Sequence, residues 1–237
     1  MGDERFMIDV KKLTKVFGSK RVLNGLDFHA DEGEFVALIG PNGAGKSTFI
    51  RILSSLLNPS SGEVKIAGHR LPREAALIRS RLGVVTHQPL LYGDLTAEEN
   101  LYFYCRLYAI AGEKKRAAEV LEQVGLTARR KDLVRTFSRG MQQRLAIGRA
   151  ILHNPEVLLF DEPHTGLDQD ACDMLDKILT SVARQGRTVV MTSHDLSRIE
   201  MLADRFDVLS RGSIASVTHK KGMKGNLLDI YREALKN

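Results

Sequence analysis

Gly40-Pro41-Asn42-Gly43-Ala44-Gly45-Lys46-Ser47-Thr48 is the stretch that decides the fold. It reads G-x-x-x-x-G-K-S, follows the unbroken apolar run Phe35-Val36-Ala37-Leu38-Ile39, and opens an amphipathic stretch. Strand, glycine-rich loop and helix in that order is the context in which such a loop cradles phosphate. The glycines let the backbone curl so that successive N–H groups point inward, at the positive end of the following helix. Lys46 reaches the outer phosphates as a point charge, and the Ser47 hydroxyl suits Mg²⁺. Gly40, Pro41, Asn42, Gly43, Ala44, Gly45, Lys46, Ser47 and Thr48 are therefore the first expected binding residues.

Outward from this loop, strand-like runs recur at Met7–Val10, Val64–Ile66, Leu82–Val85, Val157–Phe160, Thr188–Thr192 and Arg205–Leu209. Several are continuously apolar, as strands covered on both faces must be. Helical patterns lie between them; Met174, Leu175, Ile178, Leu179 and Val182 share one face of a helix over about 170–184. Alternating strand and helix predicts an α/β fold with parallel strands. From about Gln88 to Asn154 the strand signal stops. Thr96 with Glu99 reads as a capping box, Glu113 to Val124 as a second helix stopped by Gly125, and Gly140 to Leu152 as a third. The expected division is one domain over 1–237, with a core at 1–88 and 155–217, a helical insert at 89–154 and a basic tail at 218–237 that ends in a short helix.

Composition limits the possible functions. The 237 residues carry 35 Lys+Arg against 29 Asp+Glu, a net charge of +6, with 43% hydrophobic residues. Disordered and collagen-like chains are excluded, and no apolar run approaches the roughly 18 residues of a membrane span. The start shows no apolar signal segment and the end no prenylation box, so a cytosolic location is expected. Cys105 and Cys172 lack C-x-x-C spacing and read as ordinary thiols. The basic runs Arg129-Arg130-Lys131 and Lys220-Lys221 are too short for a nucleic-acid track, and no specific nucleic acid is expected.

The remaining motifs narrow the chemistry. Val157-Leu158-Leu159-Phe160-Asp161-Glu162 delivers two carboxylates at the C-terminal end of a strand, where α/β sheets bind ligands. Asp161 suits Mg²⁺, and Glu162 suits polarising a water aimed at a γ-phosphate. His194, in Thr192-Ser193-His194-Asp195, is placed to bond that phosphate and fix the water, and Gln88 follows another strand where the insert begins, placed to sense Mg²⁺. Phe137-Ser138-Arg139-Gly140-Met141-Gln142-Gln143-Arg144 opens a helix whose first-turn N–H groups, with Ser138, make a second anion-binding end far from the first. Two such ends in one chain suggest a site completed by a second copy.

In this order the motifs resemble those of the nucleotide-binding subunit of an ABC transporter, over nearly the whole chain. Walker A falls at Gly40–Thr48, the Q-loop at Gln88, the signature at Phe137–Arg144, Walker B at Val157–Glu162, the D-loop around Asp168 and the switch histidine at His194. The resemblance implies a RecA-like P-loop core with an antiparallel β-subdomain and an inserted helical subdomain. It implies ATP and Mg²⁺ as cofactors, Glu162, His194 and Gln88 as catalytic, Ser47, Gln88 and Asp161 at the metal, and Phe17 stacking on adenine. It also implies a head-to-tail homodimer in which Ser138 and Gly140 of one copy contact the other's ATP, driving a separate multi-span permease from the inner membrane face. Two departures stand out. Arg139 and Met141 replace the usual Gly and Gln of L-S-G-G-Q, and His164-Thr165 stands where the family usually has Thr-Ser.

The run His87–Leu101, with Ser138–Met141 and Thr165–Asp168, resembles the haem-exporter ATPase of cytochrome c maturation. The alternatives are an exporter of lipid, polysaccharide or drug, and a soluble ABC ATPase such as an iron–sulfur assembly factor. Apolar residues near Leu90, Leu91, Tyr92 and Tyr102 to Tyr108 are either a dock for the membrane subunit or the insert's own core.

Overall fold

A computed structural model describes residues 6–86 and 88–236. His87, which opens the run compared with haem exporters, lies outside the described residues. The strands are β1 (Ile8–Phe17), β2 (Lys20–Ala30), β3 (Phe35–Ile39), β4 (Ser61–Ile66), β5 (His69–Leu71), β6 (Leu82–Val85), β7 (Val157–Asp161), β8 (Thr188–Thr192), β9 (Arg205–Ser210) and β10 (Ser213–His219). The helices are α1 (Lys46–Leu53), α2 (Ala75–Arg81), α3 (Ala97–Leu107), α4 (Glu113–Gln123), α5 (Arg139–Ile151), α6 (Gln169–Ala183), α7 (Leu196–Leu202) and α8 (Leu227–Ala234).

One sheet runs β10-β9-β3-β8-β7-β6, with β9, β3, β8, β7 and β6 parallel. Every residue of β3, β7 and β8 is buried, which explains the apolar runs Phe35–Ile39, Val157–Phe160 and Val189–Met191. Alternate side chains of β3 serve opposite faces. Phe35, Ala37 and Ile39 pack with the core of α3 to α6, while Val36 and Leu38 pack with β1, β2 and α1.

The second sheet, β2-β1-β4-β5, is antiparallel, as the resemblance implies. Here the residue patterns recover less. Met7–Val10 is only the start of a strand reaching Phe17, and β2 and β10 leave no clear strand signal. In β2, Leu23, Leu26, Phe28 and Ala30 point inward between polar neighbours, and Gly25, at φ 61°, sits where the β1–β2 register shifts. An interrupted two-residue period on a half-exposed strand is easily read as loop.

From 89 to 154 the described elements are helical, with two short 3₁₀ turns and a single bridge between Thr96 and Leu133. The capping box forms as expected: Thr96 Oγ1 accepts from the Glu99 N–H at 3.2 Å, and Glu99 accepts from the Thr96 N–H at 2.8 Å. Gly125 follows α4 at φ 66°. Of the five apolar residues expected on the inner face of α6, Leu175, Ile178, Leu179 and Val182 are buried, but Met174 is exposed. It lies against Arg144 of α5, 2.8 Å from that guanidinium. Among the described residues no helix is long and apolar enough to cross a membrane.

Candidate nucleotide site

The loop between β3 and α1 adopts the curled form its glycines allow. A Cβ at Gly40 would stand 2.2 Å from the Leu209 carbonyl oxygen, so the β3 end can cross β9 only without a side chain. Gly45, at φ 114°, is the N-cap of α1 and supplies no side-chain cap, which leaves the first-turn N–H groups open for a ligand. The loop borders a cavity of about 690 Å³ shared with Lys20, Val22, Asp161, Glu162, Thr165 and His194.

Lys46 is 7% exposed. Its ammonium donates to the Gly40 carbonyl at 2.7 Å and lies 3.9 Å from Glu162 Oε1. The Ser47 hydroxyl donates to Asp161 Oδ1 at 3.1 Å, and Thr192 donates to the same oxygen at 2.8 Å. A hydroxyl beside one buried carboxylate is an all-oxygen donor set. It suits Mg²⁺, which typically takes one or two protein oxygens and completes its shell with phosphate and water. The chemistry such an ion supplies is neutralisation of charge developing on the phosphates.

Glu162 has the left-handed backbone angle φ 53°, costly for a residue with a side chain. Its N–H donates to Thr192 Oγ1 at 2.9 Å, which ties the β7 and β8 ends together. His194 Nδ1 donates to Glu162 Oε2 at 2.6 Å. A carboxylate and an imidazole thus meet at the cavity edge, in a position to accept a proton from water and to bond a phosphate oxygen.

Five expected site residues do not border this cavity. Gly40 lies at its back, where it gives β9 room. Phe17 is half exposed at the end of β1, with the Lys15 ammonium 5.0 Å over its ring. Its hairpin partner Lys20 does line the cavity. Gln88 is exposed in the loop after β6, and its carbonyl accepts from the Thr86 hydroxyl. Ser138 and Gly140 sit at the exposed N-terminus of α5, where Ser138 Oγ accepts from the Met141 N–H at 3.3 Å. The Arg139 guanidinium lies where a Cβ on Gly166 would fall, and Ala171 of α6 lies 2.9 Å from a Cβ on Gly140. Lys20, Val22 and Thr165 were not foreseen. Lys20 and Val22 arrive on β2, which has no clear strand signal, and Thr165 arrives on the turn after Glu162.

A model of the ABC transporter family matches residues 23–165. The linearmycin resistance ATP-binding protein LnrL of Bacillus subtilis (strain 168) is 39% identical over 223 residues, covering 93% of this chain and 72% of that one. The Nod factor export ATP-binding protein I of Paraburkholderia xenovorans (strain LB400) is 37% identical over 207 residues, covering 86% and 68%. The dimeric post-hydrolysis structure of the ATP-binding cassette MJ0796 with ADP and Pi superposes with a TM-score of 0.83 at 31% identity, over 92% of this chain and 100% of that one. Likeness of this extent in sequence and in structure makes the chain a member of the ABC transporter family, an ATP-binding subunit with ATPase activity.

Proposed function

We propose that the chain powers an exporter by closing head to tail on ATP with a second copy. The observation that carries this reading is the arrangement of Lys46, the Ser47–Asp161 pair and the Glu162–His194 pair around one cavity, with the Ser138 end of α5 outside it. In the closed pair, Gly40 to Thr48 of one copy hold the triphosphate, Ser47 and Asp161 hold Mg²⁺, and Ser138 with the Gly140 N–H of the other copy face the γ-phosphate. Glu162 accepts the proton of the attacking water while His194 orients it. Phe17 moves onto adenine beside Lys20, and Gln88 enters as the loop after β6 shifts.

The proposed division is a core at 1–88 and 155–217, a helical insert at 89–154 and a basic tail at 218–237. The insert would pass closure to a separate multi-span permease at the inner membrane face. Exposed Leu90, Tyr92, Phe103 and Leu107 support a dock there, whereas Leu101 and Cys105 are buried in the insert's own core. For the cargo, haem rests on the resemblance of the run His87–Leu101, Ser138–Met141 and Thr165–Asp168. The name of the linearmycin-resistance relative favours a drug instead, and that of the Nod-factor-export relative favours export over soluble assembly work.

Glu162→Gln tests the mechanism. The variant should bind ATP, run as an ATP-dependent dimer on gel filtration, and lose turnover about 10²–10⁴-fold, the usual share of a general base. Rapid steady-state hydrolysis would remove Glu162 from the role. Copurification of the tagged chain with a multi-span membrane protein tests the exporter reading, and its absence from detergent-solubilised membranes would favour the soluble alternative.

A further inference from the structure

His164 stands two residues after Glu162, with its side chain 8% exposed. Its Nε2 donates to Asp176 Oδ1 of α6 at 2.7 Å. The other Asp176 oxygen accepts from Arg198 Nη1 of α7 at 2.5 Å. Arg198 is buried, and its Nε lies 3.4 Å from Asp195, which caps α7 and directly follows His194. A continuous polar chain therefore leads from the turn that bears Glu162, through Asp176, to the turn that bears His194.

We propose that His164, Asp176 and Arg198 are positioning residues for ATP hydrolysis, holding the Glu162 turn in register with the His194 turn. The proposal rests on the hydrolytic role assigned to Glu162 above. Three observations support it. Glu162 is held at a left-handed φ, and such a residue persists only where its surroundings over-determine it. On its N-terminal side Thr192 supplies that constraint. On its C-terminal side the turn is closed by the Thr165 N–H donating to the Glu162 carbonyl at 3.2 Å, and His164 anchors that turn from within. Second, Asp176 has one oxygen for each partner, so it joins the two turns and does not merely neutralise one of them. Burial pushes the Asp176 carboxyl up, but the bonds from His164 and Arg198 outweigh it and hold the group below the usual range. Third, among the described residues the buried His164 Nδ1 has no partner. The imidazole is thus held by Asp176 alone, and its orientation depends on that one bond. Asp173, 3.1 Å from the same Arg198 nitrogen, is half exposed and completes the guanidinium's contacts.

The test uses the full chain with steady-state ATPase kinetics and melting temperature. His164→Ala is expected to lower kcat about 10-fold, within the range that a small misplacement of a catalytic group costs, and to leave KM for ATP within about twofold. His164→Gln, whose amide N–H can reach Asp176, is expected to recover most of kcat. Asp176→Asn in combination with His164→Ala should be no worse than the poorer single variant, as groups acting as one unit behave. Wild-type kcat in His164→Ala would overturn the proposal. So would losses in the Ala and Gln variants that are equal and track melting temperature, or effects of His164 and Asp176 that multiply. Failure of the underlying reading appears separately, as equal hydrolysis by the unsubstituted chain and Glu162→Gln.

Discussion

The N-termini of α1 and α5 both carry the positive end of a helix, yet they are built in opposite ways. The α1 end has no side-chain cap, is wrapped by its own glycine loop, and gathers its own Lys46 with Asp161 and Glu162 from the end of β7. The α5 end is capped by Ser138 and exposed, with Arg139 against Gly166 and Ala171 against Gly140. The same backbone physics thus produces a nearly complete site in one place and an isolated surface in the other. What separates them is the number of elements that converge, and the proposed dimer supplies the missing convergence at α5 from a second copy.

Substitutions at the two ends should therefore fail differently. Ser138→Arg is expected to leave ATP binding by the single chain within about twofold and to lower turnover about 10²–10³-fold, as loss of a preorganised donor at a developing charge does. Equilibrium binding of a fluorescent ATP analogue, read beside the hydrolysis rate, separates the two effects; weakened binding would place Ser138 in its own chain's site. Lys46→Ala should instead weaken that binding about 10–100-fold, the loss of one hydrogen bond to a charged group. Unchanged affinity would remove Lys46 from the phosphates.

A third region serves as control. His153 lies stacked on Tyr108, ring centroids 4.0 Å apart, with Nε2 against the Leu82 carbonyl, and borders neither end. Burial pushes its pKa down to about 4 from 6.5. The folded chain therefore binds fewer protons there than the unfolded chain between those values, so stability falls as pH drops from about 6.5 to 4. Urea titrations should show His153→Phe losing about 1–3 kcal/mol less over that interval than the unsubstituted chain, with ATP affinity at pH 7.5 unchanged. Parallel pH curves for the two chains would assign the acid loss elsewhere.

The difference between the two ends also marks what the sequence makes legible. Gly40 to Ser47, Asp161-Glu162 and the parallel strands are readable because each is a short local pattern, and burial on both faces keeps β3 wholly apolar and confines the polar residues of β7 and β8 to their ends. The capping box at Thr96 and the stop at Gly125 are local in the same sense. Residues brought by an irregular hairpin are not readable: Lys20 and Val22 enter through the β1–β2 register, whose shift beside Gly25 no periodicity announces. Met174 matches the apolar face of α6 but turns toward Arg144, because a sulfur beside a guanidinium replaces core packing there. His164 shows as a departure from the family pattern, while its partners, 12 and 34 residues further on, become visible only once α6 and α7 fold beside the turn.

Mixing the Lys46→Ala and Ser138→Arg chains tests the composite site most directly. Each chain alone should be inactive. In an equal mixture half of the dimers pair the two variants, and each such dimer holds one site built from an intact Lys46 and an intact Ser138. The mixture should therefore recover about a quarter of the wild-type ATPase rate, as a two-fold symmetric pair of independent sites requires. Activity in Ser138→Arg alone, or a mixture no faster than the sum of its parts, would contradict the proposal that the second copy completes the site.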